Sequence, residues 1–511
     1  MSTIWLLPLI TVVAFLFLRR LQRRSSLPLP PGPRRLPILG NALDVPTKDI
    51  PGAFRAMSEK YGDVVYLDVV GQPMILLGSH EAATDLLEKR SANYSDRTPS
   101  PMVEIAGFSW ALTLQGYGPW WRRHRRAIHQ FFNPNAILGY APSQRLEAHR
   151  FALRLLDTPG DFLHHIRHFF GSSIMRISYG IEVDEDPVDY LTMAEDTLAI
   201  FSSVFVPGKF LVETFPVLRF VPAWMPGAQF KRDGKEWVKT VYKLVELPWK
   251  CTMDAVNRGV APPSMASGLM ENIAGLSAKE AAQEEEVARN ATAVAYAGGA
   301  DTTLSTVQTF FLAMASYPEV QAKAQAELDA VVGPSRLPEY SDQDSLPYIN
   351  ALVKELLRWR SVVPTGVPHR SIEDDEYKGY FIPKGSIVIP NIWAYSRDPT
   401  IYPDPETFMP ERWLKDGRLN PDVRDSETIA FGYGRRSCPG KHFAMSSLYM
   451  IVSTVLHMLS IKAPTDPEGK PIPLSGRMTQ GVIAYPEPFE CVIEPRSSAA
   501  EALIRATAVE F

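Results

Sequence analysis

The chain has 511 residues, of which 45% are hydrophobic and 22% charged, as in a globular protein with a large core. Its net charge of −4 gives no overall attraction to nucleic acid, so we expect no such partner. Cys251, Cys438 and Cys491 lie far apart, which argues against a disulfide framework and a zinc cluster. Length alone allows about three domains, but residues 40–495 contain no linker and no internal repeat, so one domain in a reducing compartment is expected.

The N-terminal segment is apolar from Ile4 to Leu18, and arginines follow it at positions 19, 20, 23 and 24. A membrane-spanning helix needs about 17–25 residues, a length that is reached when the preceding residues are included. A cleaved signal peptide is the alternative, but it would carry its positive charge before the apolar run and a cleavage site after it. Because such arginines stay on the cytosolic side, the sequence predicts a transmembrane signal anchor over residues 1–20.

The next segments predict a hinge followed by a pair of strands. Prolines crowd residues 27–33, and because proline fixes φ and removes a donor, residues 21–40 should form a stiff, extended hinge. Residues 63–67 and 73–77 alternate as strands do, and Gly71 marks the turn between them.

A loop and a helix follow. Residues 100–119 are mixed in character and contain glycines, as a loop does. From Tyr117 to Arg126 the sequence predicts the start of a helix in which Trp121 and Arg125 share a face, four residues apart. The arginines clustered in this stretch are equally compatible with a solvated or membrane-facing patch.

Residues 205–230 combine four prolines with many aromatic residues. The prolines exclude a long helix. The aromatic residues are more than a surface loop needs, and packing into the core is one explanation for them.

Residues 280–316 predict one long helix, charged at first and then almost wholly apolar. Gly298 and Gly299 lie in its middle, and because each helical Gly costs about 1 kcal/mol relative to Ala, the pair predicts a weakened or bulged helix. Asp301 and Thr302 then place an acid and a hydroxyl in the apolar run. A buried acid costs several kcal/mol unless it is paired or protonated. Either a locally satisfied polar kink or a functional pair explains this.

Three later segments carry candidate framework residues. Residues 352–359 predict a helix in which Glu355 and Arg358 are three residues apart, an arrangement that alone contributes only roughly 0.2–0.5 kcal/mol. Residues 364–370 contain His369, for which a solvent-facing position is the alternative to a role in a site. Residues 408–413 contain Arg412.

Residues 431–440 read Phe-Gly-Tyr-Gly-Arg-Arg-Ser-Cys-Pro-Gly. The glycines permit unusual backbone conformations, and Pro439 suits the first position of the helix that follows. Cys438 should therefore precede a helix N-terminus, where free N–H groups favour a thiolate that acts as a metal ligand or a nucleophile. An inert buried thiol is the alternative. However, the pattern Phe-Gly-x-Gly-x-Arg-x-Cys-x-Gly arises by chance roughly once in 10^8 positions.

This loop resembles the haem-binding loop of the cytochrome P450 family of haem-thiolate monooxygenases. The resemblance extends from residue 2 to about 495, and residues 205–230 are most similar to a fungal group that includes tryptamine 4-monooxygenase. It implies that Cys438 is the axial ligand of a haem b iron and that Phe431 packs under the ring. The residues implied to meet the haem propionates are Trp121, Arg125, His369 and Arg436.

The same resemblance gives roles to the other candidates. Asp301 would relay protons, and Thr302 would hold the bound oxygen species. Glu355, Arg358 and Arg412 would form a buried structural lock. The loop at 100–119 would cap the substrate cavity, and residues 205–230 would lie over its entrance and dip into the bilayer.

We therefore expect a mainly α fold with a smaller β-rich part, with a haem-thiolate monooxygenase domain over residues 41–496 and a dispensable tail over 497–511. The enzyme would insert one oxygen atom from dioxygen into a lipophilic small molecule, as in secondary metabolism. No G-x-G-x-x-G unit or flavin fingerprint occurs, so electrons would come from an NADPH-cytochrome reductase. The resemblance implies a single-pass protein of the endoplasmic reticulum membrane whose catalytic domain is cytosolic.

Two other functions remain open. A haem-thiolate isomerase or dehydratase would need no electrons, but such relatives often lack the acid–Thr pair that Asp301 and Thr302 form. A membrane-anchored haem sensor without turnover belongs to a different class. Product formation in the presence of reductase and NADPH would separate the three.

Overall fold

The structure, a computed structural model, describes residues 27–206 and 208–509. Among these residues no helix combines the length and the apolar run that a bilayer crossing requires. The predicted anchor, residues 1–20, lies outside the described ranges.

Helices dominate the described chain, which confirms the expected fold class. Several begin with a proline in the first turn, where the missing N–H leaves no hydrogen bond unmade. The α-helices are Ile50–Tyr61, His80–Ala83, Ser91–Tyr94, Pro101–Ile105, Pro119–Phe132, Pro134–Leu138, Ala141–Asp157, Phe162–Tyr179, Tyr190–Val204, Leu211–Thr214, Gln229–Asn257, Met265–Glu271, Ala278–Ser316, Pro318–Val331, Pro347–Trp359, Ile392–Tyr395, Glu427–Ala430, Lys441–Met458 and Ser498–Val509.

The strands form one mixed sheet and three short pairs. As predicted, β1 (Val64–Val69) pairs antiparallel with β2 (Gln72–Leu77), and the turn between them has positive φ at Val70 and Gly71. The other strands are β3 (His369–Arg370), β4 (Asp375–Tyr377), β5 (Tyr380–Ile382), β6 (Ile387–Pro390), β7 (Leu414–Lys415), β8 (Arg418–Leu419), β9 (Leu459–Lys462) and β10 (Val492–Pro495). The sheet order is β1-β2-β6-β3, in which β2 and β6 are parallel.

The helix Ala278–Ser316, which we call the central helix, joins the two largest parts of the core. Its buried apolar residues from Val287 to Ala300 pack in one cluster, and those from Leu304 to Ala315 pack in the other. Asp301 and Thr302 lie at the boundary between the clusters, where the helix is only partly buried. The fold therefore brings the acid–hydroxyl pair to a gap in the core.

The central helix is continuous, so the expected bulge at the paired glycines is absent. A Cβ built on Gly299 would lie 2.7 Å from Ile174 Cγ1, whereas a Cβ on Gly298 would have no heavy atom within 4 Å. Gly299 is therefore where the helix Phe162–Tyr179 approaches closely, so this glycine is needed for packing. Gly298 faces open space.

The expected tail at the end of the domain contains a helix, Ser498–Val509, whose Ala500 and Ile504 are buried in the core. That the segment is dispensable stays a prediction, which this burial does not favour. Arg496 itself holds the Asp329 carboxylate in two hydrogen bonds of 2.8 and 2.6 Å.

Residues 205–230 are divided into short elements, as the prolines predicted, but core packing does not explain most of their apolar side chains. Val212 and Ala228 are buried, and four partly buried residues pack against the core: Phe205, Phe210, Leu218 and Phe230. The other large apolar side chains of the segment are mostly exposed. We call the most exposed of these the apolar patch: Leu211, Val217, Phe220 and Trp224.

Candidate active site

The loop before Cys438 has its shape because of two glycines and one backbone hydrogen bond. Gly432 and Gly434 have φ of 71° and 53°, and a Cβ on Gly434 would lie 2.4 Å from Leu87 O. The N–H of Cys438 donates to Phe431 O at 2.7 Å and closes the loop. The helix that follows begins at Lys441 with Gly440 as its N-cap, two residues later than the position predicted for Pro439.

The Cys438 thiol borders a cleft that opens to solvent. Its side chain is solvent-accessible, yet burial is the main cause that raises the pKa of the thiol. The exposure and the burial effect are compatible, because protein atoms surround the sulfur on all sides but one. On the open side lies a cleft of about 700 Å³. Hydrogen bonds from the Gly440 and Lys441 amides and the charge of Arg125 oppose the rise and favour the thiolate.

Three guanidinium groups collect beside this loop. Arg97 donates to three carbonyl oxygens, and Arg436 donates to the carbonyls of Ser95, Leu112 and Gln115. Arg125 donates to Ser437 O at 2.7 Å. Burial and then the charge of Arg436 lower the pKa of Arg97, and burial lowers the pKa of Arg436 to about 10. Because buried charges are costly unless they are paired, this concentration of positive charge favours the binding of an anionic group.

Trp121 and His369 lie beside these guanidinium groups. We call the five residues together the cationic cluster: Arg97, Trp121, Arg125, His369 and Arg436. The Arg436 guanidinium lies 4.5 Å from the centre of the Trp121 ring, whose buried Nε1–H has no hydrogen-bond partner among the described residues. His369 Nδ1 donates to Tyr94 O at 2.6 Å, which leaves its Nε2 for another contact. Burial, and then the charge of Arg97, hold the pKa of His369 well below its ordinary value.

These residues fit a haem. The charge of Asp96 acts on Arg97 and Arg436, and the two propionates of a haem would add further negative charge beside them. The Trp121 Nε1–H, which has no partner among the described residues, is a donor suited to a carboxylate oxygen. Arg436 uses three of the five N–H groups of a guanidinium on backbone carbonyls, so it keeps donors for a ligand. Phe431 lies partly buried at the start of the loop and lines the same cleft as Cys438.

Asp301 and Thr302 have different partners on and near the central helix. Thr302 Oγ1 donates to Gly298 O at 2.8 Å, as in the locally satisfied interpretation of the sequence. Asp301 Oδ2 instead accepts a hydrogen bond from the Tyr485 hydroxyl, far along the chain. Burial raises the pKa of Asp301, whereas that hydrogen bond and the charge of Arg167 lower it.

The three predicted framework residues do meet. Glu355 is fully buried and binds Arg358 in two hydrogen bonds of 2.8 and 2.7 Å. It also accepts from Arg412 Nε at 3.1 Å and from Trp413 Nε1 at 3.0 Å. Breaking a buried ion pair of this kind costs about 3–5 kcal/mol, so the cluster fixes the segment before the Cys438 loop to the helix Pro347–Trp359.

The structure also points to Arg97 and Tyr485, which sequence reasoning missed. Arg97 lies outside any regular element, between Ser95 and the helix Pro101–Ile105, and no periodic pattern includes it. Tyr485 lies in an irregular C-terminal segment. No local signal could identify either residue, because the contacts of each are made by residues that are distant in the sequence.

Comparison with known proteins gives a consistent picture. The profile of the cytochrome P450 family matches residues 30–490. The chain is 45% identical to cytochrome P450 monooxygenase COX2 of Coprinopsis cinerea over 94% of this chain and 91% of that protein. It is 42% identical to COX1 of the same fungus, over 97% of both chains. It is 40% identical to tryptamine 4-monooxygenase of Psilocybe cyanescens, over 93% of this chain and 94% of that protein.

Proposed function

The chain belongs to the cytochrome P450 family, and from this we propose that it inserts one oxygen atom from dioxygen into a lipophilic small molecule. It is a haem-dependent monooxygenase, and its relatives carry that name. One observation carries the assignment of the site: a thiol, Cys438, in a glycine-shaped loop beside three buried guanidinium groups.

We propose that Cys438 binds the haem iron and that the cationic cluster binds the propionates. When bound, the haem supplies the activation of dioxygen, which thiolate ligation favours. The amides of Gly440 and Lys441 would stabilise the sulfur as a thiolate, and Phe431 would pack under the ring. The propionate ligands would be Arg97, Trp121, Arg125, His369 and Arg436.

Asp301 and Thr302, at the boundary between the two core clusters, would transfer and orient protons. Because the Thr302 hydroxyl donates to Gly298 O, its oxygen is left to accept a hydrogen bond from another group. Burial raises the pKa of Asp301 above its ordinary value, which makes this carboxyl group a better proton donor and acceptor for the reaction than an exposed carboxylate. We propose that Asp301 delivers protons to the reaction and that Thr302 orients them.

Electrons and substrate would come from outside the chain. The sequence has no dinucleotide-binding fingerprint, so we propose an NADPH-cytochrome reductase as the partner. The apolar patch supports contact with a bilayer. With residues 1–20 as anchor and 21–40 as hinge, we place the catalytic domain on the cytosolic side of the endoplasmic reticulum membrane.

The names of the relatives indicate the substrate class only broadly. One relative is named for the oxidation of tryptamine, a small aromatic amine, and this favours a role in fungal secondary metabolism. An isomerase or dehydratase is less well supported, because these three relatives are named monooxygenases and the acid–Thr pair is present.

The ligand assignment is tested by replacing each cysteine. The carbon monoxide complex of the reduced protein should show the strongly red-shifted absorption of a thiolate-bound haem, and Cys438→Ser should abolish it. Cys251→Ser and Cys491→Ser are matched controls that should retain it. A thiolate spectrum that survives in Cys438→Ser would contradict the proposal, and product formation with reductase and NADPH would exclude a sensor.

A further inference from the structure

The C-terminal segment around Tyr485 is fastened to the central helix at two points, one turn apart. The Tyr485 hydroxyl donates to Asp301 Oδ2, and Ser305 Oγ donates to Ala484 O at 2.6 Å. The segment is itself held in place, because Tyr485 N donates to Thr479 Oγ1 at 3.0 Å. The tyrosine hydroxyl therefore reaches Asp301 from a restrained position.

We propose that Tyr485 is the positioning residue that sets the orientation and the proton affinity of Asp301. One carboxylate oxygen, Oδ2, is bound by the tyrosine, whereas Oδ1 accepts no hydrogen bond from any described residue. The carboxyl group is thus held by one oxygen, and the other remains available to exchange a proton. This inference rests on the proposed function, in which Asp301 delivers protons.

Opposing effects act on this carboxyl group. Burial raises its pKa, and the Tyr485 hydrogen bond lowers it. The other charged groups that act on it are Arg167 and Glu195, which lie on the helices Phe162–Tyr179 and Tyr190–Val204 and pair with each other at 3.0 Å on the surface. Arg167 lowers the pKa of Asp301 and Glu195 raises it, so their effects oppose each other. Tyr485 is the larger of the two influences that favour the ionised form.

The tyrosine is not itself an acid in this arrangement. Burial, and then the charge of Asp301, raise the pKa of Tyr485 well above its ordinary value, so its hydroxyl keeps its proton. It acts as a fixed donor toward the carboxylate. Removing the hydroxyl should therefore raise the pKa of Asp301, because burial would remain and the largest opposing influence would be lost.

The test is an infrared pH titration of the haem-loaded, full-length protein. The carbonyl stretch of the protonated Asp301 carboxyl is identified as the band that Asp301→Asn removes. In Tyr485→Phe the midpoint of that band should move to higher pH by about one to two units, the usual worth of a hydrogen bond to a charged group. The pH profile of NADPH oxidation with reductase should move in parallel.

Two variants separate the effect of the Tyr485 hydroxyl on the midpoint from the effect of the packing of the C-terminal segment. Ser305→Ala loosens the same segment at Ala484 but keeps the tyrosine hydroxyl, so the midpoint should stay near the wild-type value. Tyr377→Phe removes a matched hydroxyl that donates to Asp85 at 2.8 Å, away from the central helix, and should have no effect. If Ser305→Ala shifts the midpoint as far as Tyr485→Phe does, packing sets the pKa and the proposal fails.

The outcomes distinguish this inference from the function on which it rests. An unchanged midpoint in a Tyr485→Phe protein that keeps its thiolate–haem spectrum overturns the role of Tyr485 and leaves the monooxygenase intact. If Tyr485→Phe does not load haem, Arg167→Gln tests the same carboxyl group from the protein surface. Its midpoint should also rise, by less than about one unit, and no rise would contradict this balance of charges around Asp301.

Discussion

Thr302 shows how a single side chain can satisfy the helix and still serve a reaction. Its hydroxyl proton is used on Gly298 O, so the group is an acceptor toward anything that approaches from outside the helix. This combines the two interpretations that the sequence left open, a locally satisfied polar residue and a functional one. The hydroxyl also has a defined direction, because the donation to Gly298 O fixes its rotation.

Thr302→Ala should therefore separate electron use from product formation. The variant should bind haem and substrate and consume NADPH, because the Thr302 hydroxyl bonds to Gly298 O and makes no hydrogen bond with Cys438 or the arginines beside it. Less product and more hydrogen peroxide should form per NADPH, because a proton acceptor that steers the reaction is lost. The measurement follows NADPH, peroxide and product together once a substrate is known.

Two controls make this result specific. Thr302→Ser keeps the hydroxyl and should recover most of the product yield. Thr309→Ala is the matched control that should keep the wild-type product yield. It removes a hydroxyl that makes the same kind of bond, to Ser305 O at 2.9 Å, but within the core. A wild-type yield in Thr302→Ala would show that the hydroxyl serves only its hydrogen bond to Gly298 O within the helix.

How far single residues could be predicted depends on where their partners lie. Cys438 and Glu355 stand in dense local patterns, and the positions of both were expected from sequence, although the function of each is a proposal. Arg97 bonds to a partner 270 positions away and Tyr485 to one 184 positions away, so no local spacing indicates either residue. The raised pKa of Asp301 depends on the fold in the same way.

Among the elements, the central helix was predicted well in extent but not in its detail. It begins at Ala278, two residues before the predicted start, because Ser277 and Glu280 form a capping box. The two glycines were interpreted as one feature that weakens the helix. In the structure they serve opposite sides, one against Ile174 and one toward open space.

Alanine at the two glycines should accordingly have effects of opposite sign. Gly298→Ala adds a methyl group where a Cβ meets nothing within 4 Å, so helix propensity should stabilise the fold by up to about 1 kcal/mol. Gly299→Ala places a Cβ 2.7 Å from Ile174 Cγ1 and should destabilise it by about 1–3 kcal/mol. The temperature at which the haem absorption is lost measures both.

A compensating change checks the stated cause. Ile174→Ala alone should destabilise the fold by about 2–5 kcal/mol, because it opens a cavity at a fully buried position. Combined with Gly299→Ala it should cost less than the sum of the two single changes, because it removes the atoms that the new Cβ meets. Equal shifts in the same direction for Gly298→Ala and Gly299→Ala would contradict this account of the helix.

At the scale of the whole molecule, exposed apolar side chains indicate how the domain meets its surroundings. Trp224 and Phe220 are 79% and 77% exposed, and they lie among other exposed apolar residues. Surfaces of this kind mark contacts with membranes or partners. Sequence composition could show that the segment is aromatic, but whether its side chains are exposed depended on the packing of the whole chain.

The apolar patch predicts a specific contact with lipid. In vesicles that contain brominated phospholipids, part of the tryptophan fluorescence of the full-length protein should be quenched. Trp224→Phe should lose a measurable share of that quenching, whereas Trp393→Phe, which alters a partly buried tryptophan stacked with Arg397, should not. If the two variants are quenched alike, the patch does not enter the bilayer.

The cationic cluster should affect how much of the protein accumulates in the cell. Folding gathers Arg97, Arg125 and Arg436 in a partly buried region where like charges repel, and the two carboxylates of the haem that we propose they bind would offset that repulsion. A ligand that binds only the folded chain stabilises it by mass action. When iron or haem synthesis runs low, a larger fraction of newly made chains should stay unfolded and be degraded. The abundance of this enzyme would then follow the haem supply even with its messenger RNA unchanged.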